Sequence, residues 1–126
     1  MSAAVGTPAI ILVDDDPEVL RLLRLIITSL ATGYTIRACT QADVALEQAR
    51  QQSTPLIITD YNLPGMNGLQ LTAALKARAP ATRVVLISAN ISPDLERRAR
   101  DRDVDYLVPK PFNVDRLIQI VQAALA

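Results

Sequence analysis

The chain alternates between short apolar runs and longer segments in which apolar residues recur every three or four positions. The short runs predict β-strands and the longer segments α-helices, and this alternation is typical of βαβ units around a parallel sheet. The first, third and fourth runs are almost continuously apolar, as in strands covered on both faces, whereas the second alternates and is expected at an edge. The pattern predicts an α/β fold with a doubly wound five-stranded parallel sheet, its strands at 9–13, 34–38, 56–59, 83–88 and 106–108.

Residue types that cap helices precede each helical segment. A side-chain oxygen at the N-cap accepts hydrogen bonds from free backbone N–H groups, and proline is favoured at the first helical position. Thr40 with Asp43 three residues later fits a capping box. Asp16-Pro17 opens a predicted helix that ends at about residue 31, and Ser92-Pro93 opens one that ends at about 101. The other three predicted helices follow Thr40, Asn67 and Asn113 and end at about 51, 78 and 125.

Two of these helices depart from the usual single apolar stripe. The first carries eight apolar side chains between Val19 and Leu30, more than one stripe can bury. The fourth offers only Leu95 and Ala99 amid a run of charges. Because most helical stability comes from burying an apolar face, we expect the fourth helix to be held loosely.

Length and charge narrow the class of protein. A chain of 126 residues has the size of one domain, and we expect an N-terminal tail at 1–8 and the domain at 9–126. Thirteen basic and thirteen acidic residues cancel, which argues against an electrostatic grip on nucleic acid. Arg21 and Arg24 interrupt the longest apolar region, so no membrane span is predicted.

The N-terminus and the cysteine content favour a cytoplasmic protein. The first residues lack the basic and apolar regions of a signal peptide. Cys39 is the single cysteine, so no intrachain disulfide can form. The chain contains no histidine, which excludes a histidine base, phosphoryl carrier or metal ligand of its own.

Polar residues stand where the predicted strands end. Asp14 and Asp15 follow the first strand, Asp60 follows the third, Ser88 closes the fourth and Lys110 comes just after the fifth. In a right-handed doubly wound sheet these ends share one edge, where ligands bind. Each residue alone also fits a structural role in a turn, at a strand end or on the surface. Together they predict a shared site.

A cluster of carboxylates predicts a bound cation. Two carboxylates ~4 Å apart repel by about 1 kcal/mol in water and about 4 kcal/mol in a partly buried setting. Mg²⁺ prefers oxygen ligands and leaves positions for water and phosphate oxygens. Asp60 can then attack phosphorus, while Lys110 and the Ser88 hydroxyl bind the phosphoryl oxygens. The segment NLPGMNG supplies a turn whose glycines let the backbone approach the metal.

Four segments, in this order, resemble the motifs of one family, the receiver domain of two-component response regulators. IILVDDDPEVL is similar to the family's acidic pair after the first strand, IITDYNLPGMNG to its phosphoacceptor segment, VVLISAN to its Ser/Thr-Ala switch segment and PKPF to its Lys-Pro-Phe turn. The resemblance covers nearly the whole chain. It implies a (βα)5 flavodoxin-like fold with strand order 2-1-3-4-5, the order of flavodoxin and of a chemotaxis receiver.

The resemblance also implies a role for each strand-end residue. The family's lysine usually precedes a cis proline, here Pro111. The phosphoryl donor would be a phosphohistidine on a histidine kinase or a histidine phosphotransfer protein. The domain would catalyse its own phosphorylation and dephosphorylation without turning over a separate substrate. The implied Mg²⁺ ligands are Asp14, Asp15, Asp60 and the backbone carbonyl of Asn62; the implied catalytic residues are Asp60, the phosphoacceptor, with Ser88 and Lys110.

Two surfaces are expected to meet other proteins. Phosphorylation is expected to shift an existing equilibrium and to re-pose the fourth helix, altering its face with the last strand and last helix. With Leu117 and Ile120 expected on it, that face is a candidate homodimer surface. The over-apolar first helix is a candidate docking site for a kinase, through whichever of Leu20, Leu23 and Ile27 is exposed.

The last strand departs from the family's pattern. Receivers usually place Phe or Tyr three residues before the lysine, where this chain has Leu107, and Tyr106 stands four before it. Because strand side chains alternate, Tyr106 is expected on the opposite face unless a bulge intervenes. Pro109 removes a ladder donor, which is tolerable at the end of an edge strand.

Other classes of protein fit part of the pattern. A haloacid-dehalogenase-type phosphatase also uses an aspartate nucleophile with Mg²⁺, but Glu18 stands where its signature has Thr or Val. A receiver-like module that docks without phosphorylation is a second alternative. A nucleotide-binding α/β domain would need a glycine-rich loop after the first strand, where none occurs. The short stretch after PKPF leaves either a single-domain regulator or a piece of a longer protein.

Overall fold

The computed structural model describes residues 6–126, and the first five residues of the expected N-terminal tail lie outside this range. Five strands alternate with five helices over the described chain, as predicted. The elements are β1 Ala9–Val13, α1 Pro17–Leu30, β2 Thr35–Cys39, α2 Ala42–Gln51, β3 Leu56–Asp60, α3 Gly68–Arg78, β4 Arg83–Ser88, α4 Pro93–Asp101, β5 Tyr106–Pro109 and α5 Val114–Leu125.

The five strands form one parallel sheet in the order β2-β1-β3-β4-β5, which confirms the predicted fold. The alternating strand β2 and the proline-terminated strand β5 are its two edges, as expected. Three strands differ from their predicted bounds by one residue. β2 runs one position later, β3 extends to include Asp60, and β5 includes Pro109.

Helices cover both faces of the sheet, because β1, β3 and β4 are apolar on both sides. Ile10, Leu12 and Ile58 face a cluster that includes α1 and α5. Ile11 and Ile57 face the opposite side, where α2 and α3 pack. A smaller cluster on that second side lies beneath α4 and is described below.

Four of the five predicted N-caps are confirmed. The side chains of Asp16, Asn67, Ser92 and Asn113 each accept a backbone N–H in the first turn of the following helix. The prediction of a Thr40 capping box was wrong. Gln41 precedes α2 without a side-chain cap, and the Asp43 carboxylate instead accepts from the N–H of the next residue, Val44.

The prediction of which apolar residues are buried is confirmed for α4 but not for the docking candidates of α1. In α4, Leu95 and Ala99 are the buried residues. In α1, the candidates Leu20, Leu23 and Ile27 proved buried, so they cannot form a docking face. The surplus apolar surface lies instead at two other leucines of α1, Leu22 and Leu25, which are 43% and 68% exposed.

The prediction that Leu117 and Ile120 lie on a candidate homodimer surface was also wrong. Leu117 and Ile120 are buried in the core against α1, because they lie on the inner side of α5. A different residue of α5, Val114, is exposed. Among residues 6–126, no helix combines the length and apolar character that a membrane crossing needs.

Candidate functional site

Three carboxylates meet at the carboxyl edge of the sheet. Val13 of β1 pairs with Thr59 of β3, so the residues that follow, Asp14 and Asp60, come side by side. Asp14, Asp15 and Asp60 each offer an oxygen within 4.8 Å of the other two. Asp14 and Asp60 are buried, whereas Asp15 is exposed. The topology therefore brings together the acidic residues that the sequence predicts.

Asp14 is held in place from three directions. Its backbone N–H donates to the carbonyl of Cys39 at the end of β2 across 3.1 Å. Its Oδ1 accepts from the N–H of Asp16 at 2.8 Å. Its Oδ2 accepts from the ammonium of Lys110 at 3.0 Å. A carboxylate with fixed oxygens is preorganised to bind a cation.

Lys110 reaches the same cluster from the end of β5. Its Nζ lies 3.6 Å from Oδ1 of Asp60 as well as 3.0 Å from Asp14. Its backbone N–H donates to the carbonyl of Ser88 at 2.9 Å, which fixes the lysine beside β4. The peptide bond between Lys110 and Pro111 is cis, as the resemblance implied.

The charges of the site are unbalanced. Burial raises the pKa of Asp60, and the charge of Asp14 raises it further; Lys110 and the backbone N–H of Tyr61 oppose this shift without cancelling it. Burial alone would lower the pKa of Lys110, but its hydrogen bond with Asp14 and the charges of both aspartates raise it on balance. Three carboxylates share one ammonium, so a divalent cation would relieve the remaining repulsion.

The carboxylate oxygens fit a magnesium ion. They lie close enough to reach a common ion, and hard oxygen donors are the ligands that Mg²⁺ prefers. Asn62, whose carbonyl is the further expected ligand, is an exposed residue two positions after Asp60 in the loop before α3. Gly65 in this loop has a φ of 75°, the left-handed conformation that glycine adopts without strain.

Ser88 is buried at the end of β4. Its hydroxyl accepts from the N–H of Asn90 at 3.2 Å. The side chain lies on the α3 and α4 side of the sheet, because Leu86, two residues earlier, packs into the cluster beneath α4. The structure therefore brings the end of β4 to the edge that carries the carboxylates, with the hydroxyl directed toward the α4 side.

The two candidate aromatic positions of β5 point to opposite faces. Tyr106 packs against the core that includes α1 and α5, whereas Leu107 packs into the cluster beneath α4. The ladder with β4 runs without a bulge from Tyr106 to Pro109. Strand alternation therefore places a leucine on the Ser88 side, as the departure from the family's pattern predicted.

Two features at the carboxyl edge were not anticipated from the sequence. A β-carbon on Gly68 would lie 2.5 Å from the Asp60 carbonyl oxygen and 2.5 Å from Leu86, so glycine is required for close packing here rather than for a positive φ. Tyr61, next to Asp60, packs beneath α4. Both depend on how α3 and α4 lie against the sheet, for which the local sequence carries no signal.

Known proteins resemble this chain along nearly its full length. Residues 10–122 match the response regulator receiver domain, and the chain belongs to this family. It is 34% identical over 118 residues to the nitrogen assimilation regulatory protein NtrX of Azorhizobium caulinodans, spanning 92% of this chain and 26% of that protein. It is 30% identical over 116 residues to the transcriptional regulatory protein KdpE of Mycobacterium tuberculosis, spanning 92% of this chain and 50% of that protein.

Solved structures show the same fold. The signal receiver domain of an HD domain-containing protein from Pseudomonas fluorescens Pf-5 superposes with a TM-score of 0.85 at 26% identity, covering 94% of both chains. The chain spans about half the length of KdpE and about a quarter of NtrX. Family membership selects the receiver interpretation over the phosphatase and nucleotide-binding alternatives.

The family defines the general class of this domain. Receiver domains are signalling domains of two-component systems rather than enzymes that turn over separate substrates. They interact with histidine kinases and generally bind Mg²⁺ at an acidic pocket. The aspartate cluster at the carboxyl edge could hold such an ion.

Proposed function

We propose that this domain accepts a phosphoryl group on Asp60 from a phosphohistidine of a histidine kinase or a histidine phosphotransfer protein. The observation that carries the proposal is the gathering of three carboxylates and one ammonium at the end of β3. Asp60 is the member of this group in β3, next to both the Asp14 carboxylate and the ammonium. A cytoplasmic location is part of the proposal, since the phosphoryl donor works there.

The chemistry exchanges one bond to phosphorus for another. An oxygen of the Asp60 carboxylate forms the new P–O bond as the P–N bond to the donor imidazole breaks, and the imidazole nitrogen keeps the electron pair. Lys110 neutralises charge on the phosphoryl oxygens from its position beside Asp60. The hydroxyl of Ser88 donates to a phosphoryl oxygen once it turns away from Asn90.

Magnesium would be held by Asp14, Asp15 and Asp60, with the backbone carbonyl of Asn62 as a further ligand. When bound, it supplies positive charge that stabilises the transferring phosphoryl group. Attack requires the ionised carboxylate of Asp60, whose pKa burial and the Asp14 charge raise. Lys110 and the backbone N–H of Tyr61 favour the ionised form.

The output is a change in the surface formed by α4, β5 and α5. With Leu95 and Ala99 as its buried residues, α4 is held to the sheet by a small apolar anchor. Phosphorylation therefore re-poses α4 at low cost and alters the face presented to a downstream protein or a second copy. Exposed Leu22 and Leu25 on α1 form the candidate surface for the phosphoryl donor.

Phosphorylation by a small donor tests the proposal. The wild type is incubated with acetyl phosphate and Mg²⁺ and measured by intact mass, with Asp60→Asn in parallel. We expect a gain of about 80 Da, one phosphoryl group, in the wild type alone. Asp16→Asn is the matched control, because Asp16 lies beside the cluster but caps α1, a role that asparagine also fills. No gain in the wild type would favour a module that docks without phosphorylation.

A further inference from the structure

We infer that Tyr61 is a positioning residue that ties α4 to the state of Asp60, in the place where this chain lacks an aromatic residue on β5. The inference rests on the proposed phosphorylation of Asp60. Tyr61 follows Asp60 directly in the chain and its side chain packs beneath α4. A single residue therefore joins the phosphoacceptor to the helix that is expected to move.

The ring of Tyr61 belongs to the small cluster that anchors α4. That cluster contains Leu95 and Ala99, the two buried residues of α4. Leu86 of β4 and Leu69 of α3 complete its buried part. Since α4 has such a small apolar anchor, the contact with a large aromatic ring is a substantial share of what holds it.

The hydroxyl of Tyr61 adds a polar contact to the same helix. Nη1 of Arg98 donates to this hydroxyl across 3.4 Å, at the long end of the hydrogen-bond range. The same guanidinium lies 3.9 Å from a carboxylate oxygen of Asp94, one turn earlier in α4. Tyr61 thus meets α4 through the apolar cluster and through its hydroxyl.

The backbone of Tyr61 is fixed to the site. Its N–H donates to the carbonyl of Ile87 at 2.8 Å, one residue before Ser88. Its carbonyl accepts from the N–H of Gly68 at 2.9 Å, at the start of α3. Because of these backbone hydrogen bonds, a shift of Asp60 or of the end of β4 also moves Tyr61.

The last strand offers no equivalent residue. Tyr106 faces the core on the α1 and α5 side of the sheet, away from Ser88. Leu107 is on the Ser88 side but carries neither a ring nor a hydroxyl. Tyr61 is therefore the tyrosine that touches both the end of β3 and α4, and Tyr106 is its natural control.

The proposed sequence of events is short. Phosphorylation of Asp60 draws the Ser88 hydroxyl from Asn90 toward the phosphoryl group, which shifts the end of β4. Tyr61, bonded to Ile87 there, changes the position of its ring. The cluster of Leu95 and Ala99 repacks around the ring, and α4 follows.

Hydrogen exchange of α4 separates this role from a merely structural one. Amide exchange over residues 93–101 is compared before and after treatment with acetyl phosphate and Mg²⁺, with intact mass measured on the same samples. The variants are Tyr61→Leu, which removes the ring, and Tyr61→Phe, which removes only the hydroxyl. Tyr106→Leu and Tyr106→Phe are the matched controls on the other face.

The expected readout is the change on phosphorylation, not the basal exchange. All variants should gain the phosphoryl mass. The change in α4 exchange should persist in both Tyr106 variants, fall to less than half in Tyr61→Leu and be largely restored in Tyr61→Phe. Arg98→Gln, which leaves the ring in place, should resemble Tyr61→Phe.

Two outcomes would overturn the inference in distinguishable ways. A phosphorylated Tyr61→Leu protein whose α4 responds as fully as the wild type would reject the role of Tyr61 alone. A wild type that gains no phosphoryl mass would reject the proposed function and the inference with it. If Tyr61→Leu fails to fold, Tyr61→Met, which also removes the ring but keeps a long apolar side chain, is compared with Tyr106→Met, and a full α4 response in Tyr61→Met would reject the inference.

Discussion

The two lysines of this chain make nearly identical contacts at opposite edges of the sheet, with opposite consequences. Nζ of Lys110 lies 3.0 Å from Asp14 at the carboxyl edge. Nζ of Lys76 lies 2.9 Å from Asp105, which precedes β5 at the amino edge. Contact distance alone does not separate an ion pair with balanced charges from a cluster in which carboxylates outnumber the ammonium.

The number of charges and donors around each pair makes the difference. Asp105 accepts from Lys76, from Arg83 at 3.2 Å and from the backbone N–H of Val84 at 2.8 Å. Burial alone would raise the pKa of Asp105, but these donors hold it below its ordinary value. Around Asp105 the donors outnumber the carboxylate, whereas around Lys110 three carboxylates share one ammonium. The pKa of Asp60 is accordingly raised. The charges at the amino edge are balanced by groups of the protein, whereas the carboxyl edge carries an excess of negative charge.

The largest effect on stability should come from breaking the ion pair between Lys76 and Asp105. Asp105→Ala leaves the ammonium of Lys76, whose side chain is 12% exposed, without its carboxylate and the Val84 N–H without its acceptor. We expect a loss of about 3 kcal/mol in the free energy of unfolding, measured by urea denaturation at neutral pH without metal. The exposed Asp101→Ala should change it by less than about 0.5 kcal/mol. An equal loss in both variants would contradict a structural role for the pair.

Magnesium should stabilise the protein through the other edge. At a concentration ten times its dissociation constant, binding to the folded state adds about 1.4 kcal/mol. Thermal unfolding with and without Mg²⁺ should show this gain in the wild type and in Asp105→Ala, and a smaller one in Asp15→Asn. Because Asp15 is exposed, its substitution should leave the metal-free protein folded. An undiminished gain in Asp15→Asn would remove this residue from the metal site.

Removing one carboxylate from the crowded edge should stabilise the metal-free protein. Asp60→Asn relieves repulsion with the buried Asp14 at the cost of the 3.6 Å contact with Lys110. We expect a net gain on the order of 1 kcal/mol in the free energy of unfolding without Mg²⁺. The gain should vanish when Mg²⁺ is added, since the ion binds the wild type more tightly. A loss of stability in the metal-free variant would mean that Lys110 outweighs Asp14.

The smallest effect is a difference in pH dependence between the two edges. The folded protein raises the pKa of Asp60, so the cost of ionising this residue is absent at low pH and appears as the pH rises through the raised value. The advantage of Asp60→Asn should therefore shrink on acidification before an ordinary aspartate protonates. The pKa of Asp105 is lowered, so its contribution is present above the ordinary value and is lost only as the pH falls below it. Urea denaturation across mildly acidic pH measures the difference in free energy of unfolding between each variant and the wild type. The difference for Asp60→Asn should shrink while that for Asp105→Ala persists. If both differences shrank over the same pH range, the assigned pKa shifts would be contradicted.

Most of the fold could be predicted because its signals are local. Apolar runs such as Ala9–Val13 mark buried strands, and Asp16, Asn67, Ser92 and Asn113 cap helices through bonds to neighbouring residues. The Thr40 capping box failed even so, because α2 begins one residue later than a threonine cap would require. A motif with the right spacing does not specify which residue leaves the strand.

The meeting of residues at the carboxyl edge could be predicted because it follows from the topology of the sheet and not from individual long-range contacts. A parallel sheet brings every strand end to one side, so Asp14, Asp60 and Lys110 are brought together without knowledge of any side-chain position. The α1 and α5 predictions failed for the opposite reason. Which of several leucines on an over-apolar helix faces the core depends on how the helix is rotated against the sheet, and Leu117 proved to face inward.

By itself the sequence determined the element order, the parallel sheet and the edge at which the acidic residues meet, because hydrophobic periodicity and strand direction are properties of neighbouring residues. The tertiary structure alone decided that Asp105 accepts from Lys76, twenty-nine positions away, and that Tyr61 rather than Tyr106 touches α4. Such contacts depend on strand register and on the placement of helices on the sheet. Both are set by packing of the whole core, in which each residue's neighbours come from distant parts of the chain.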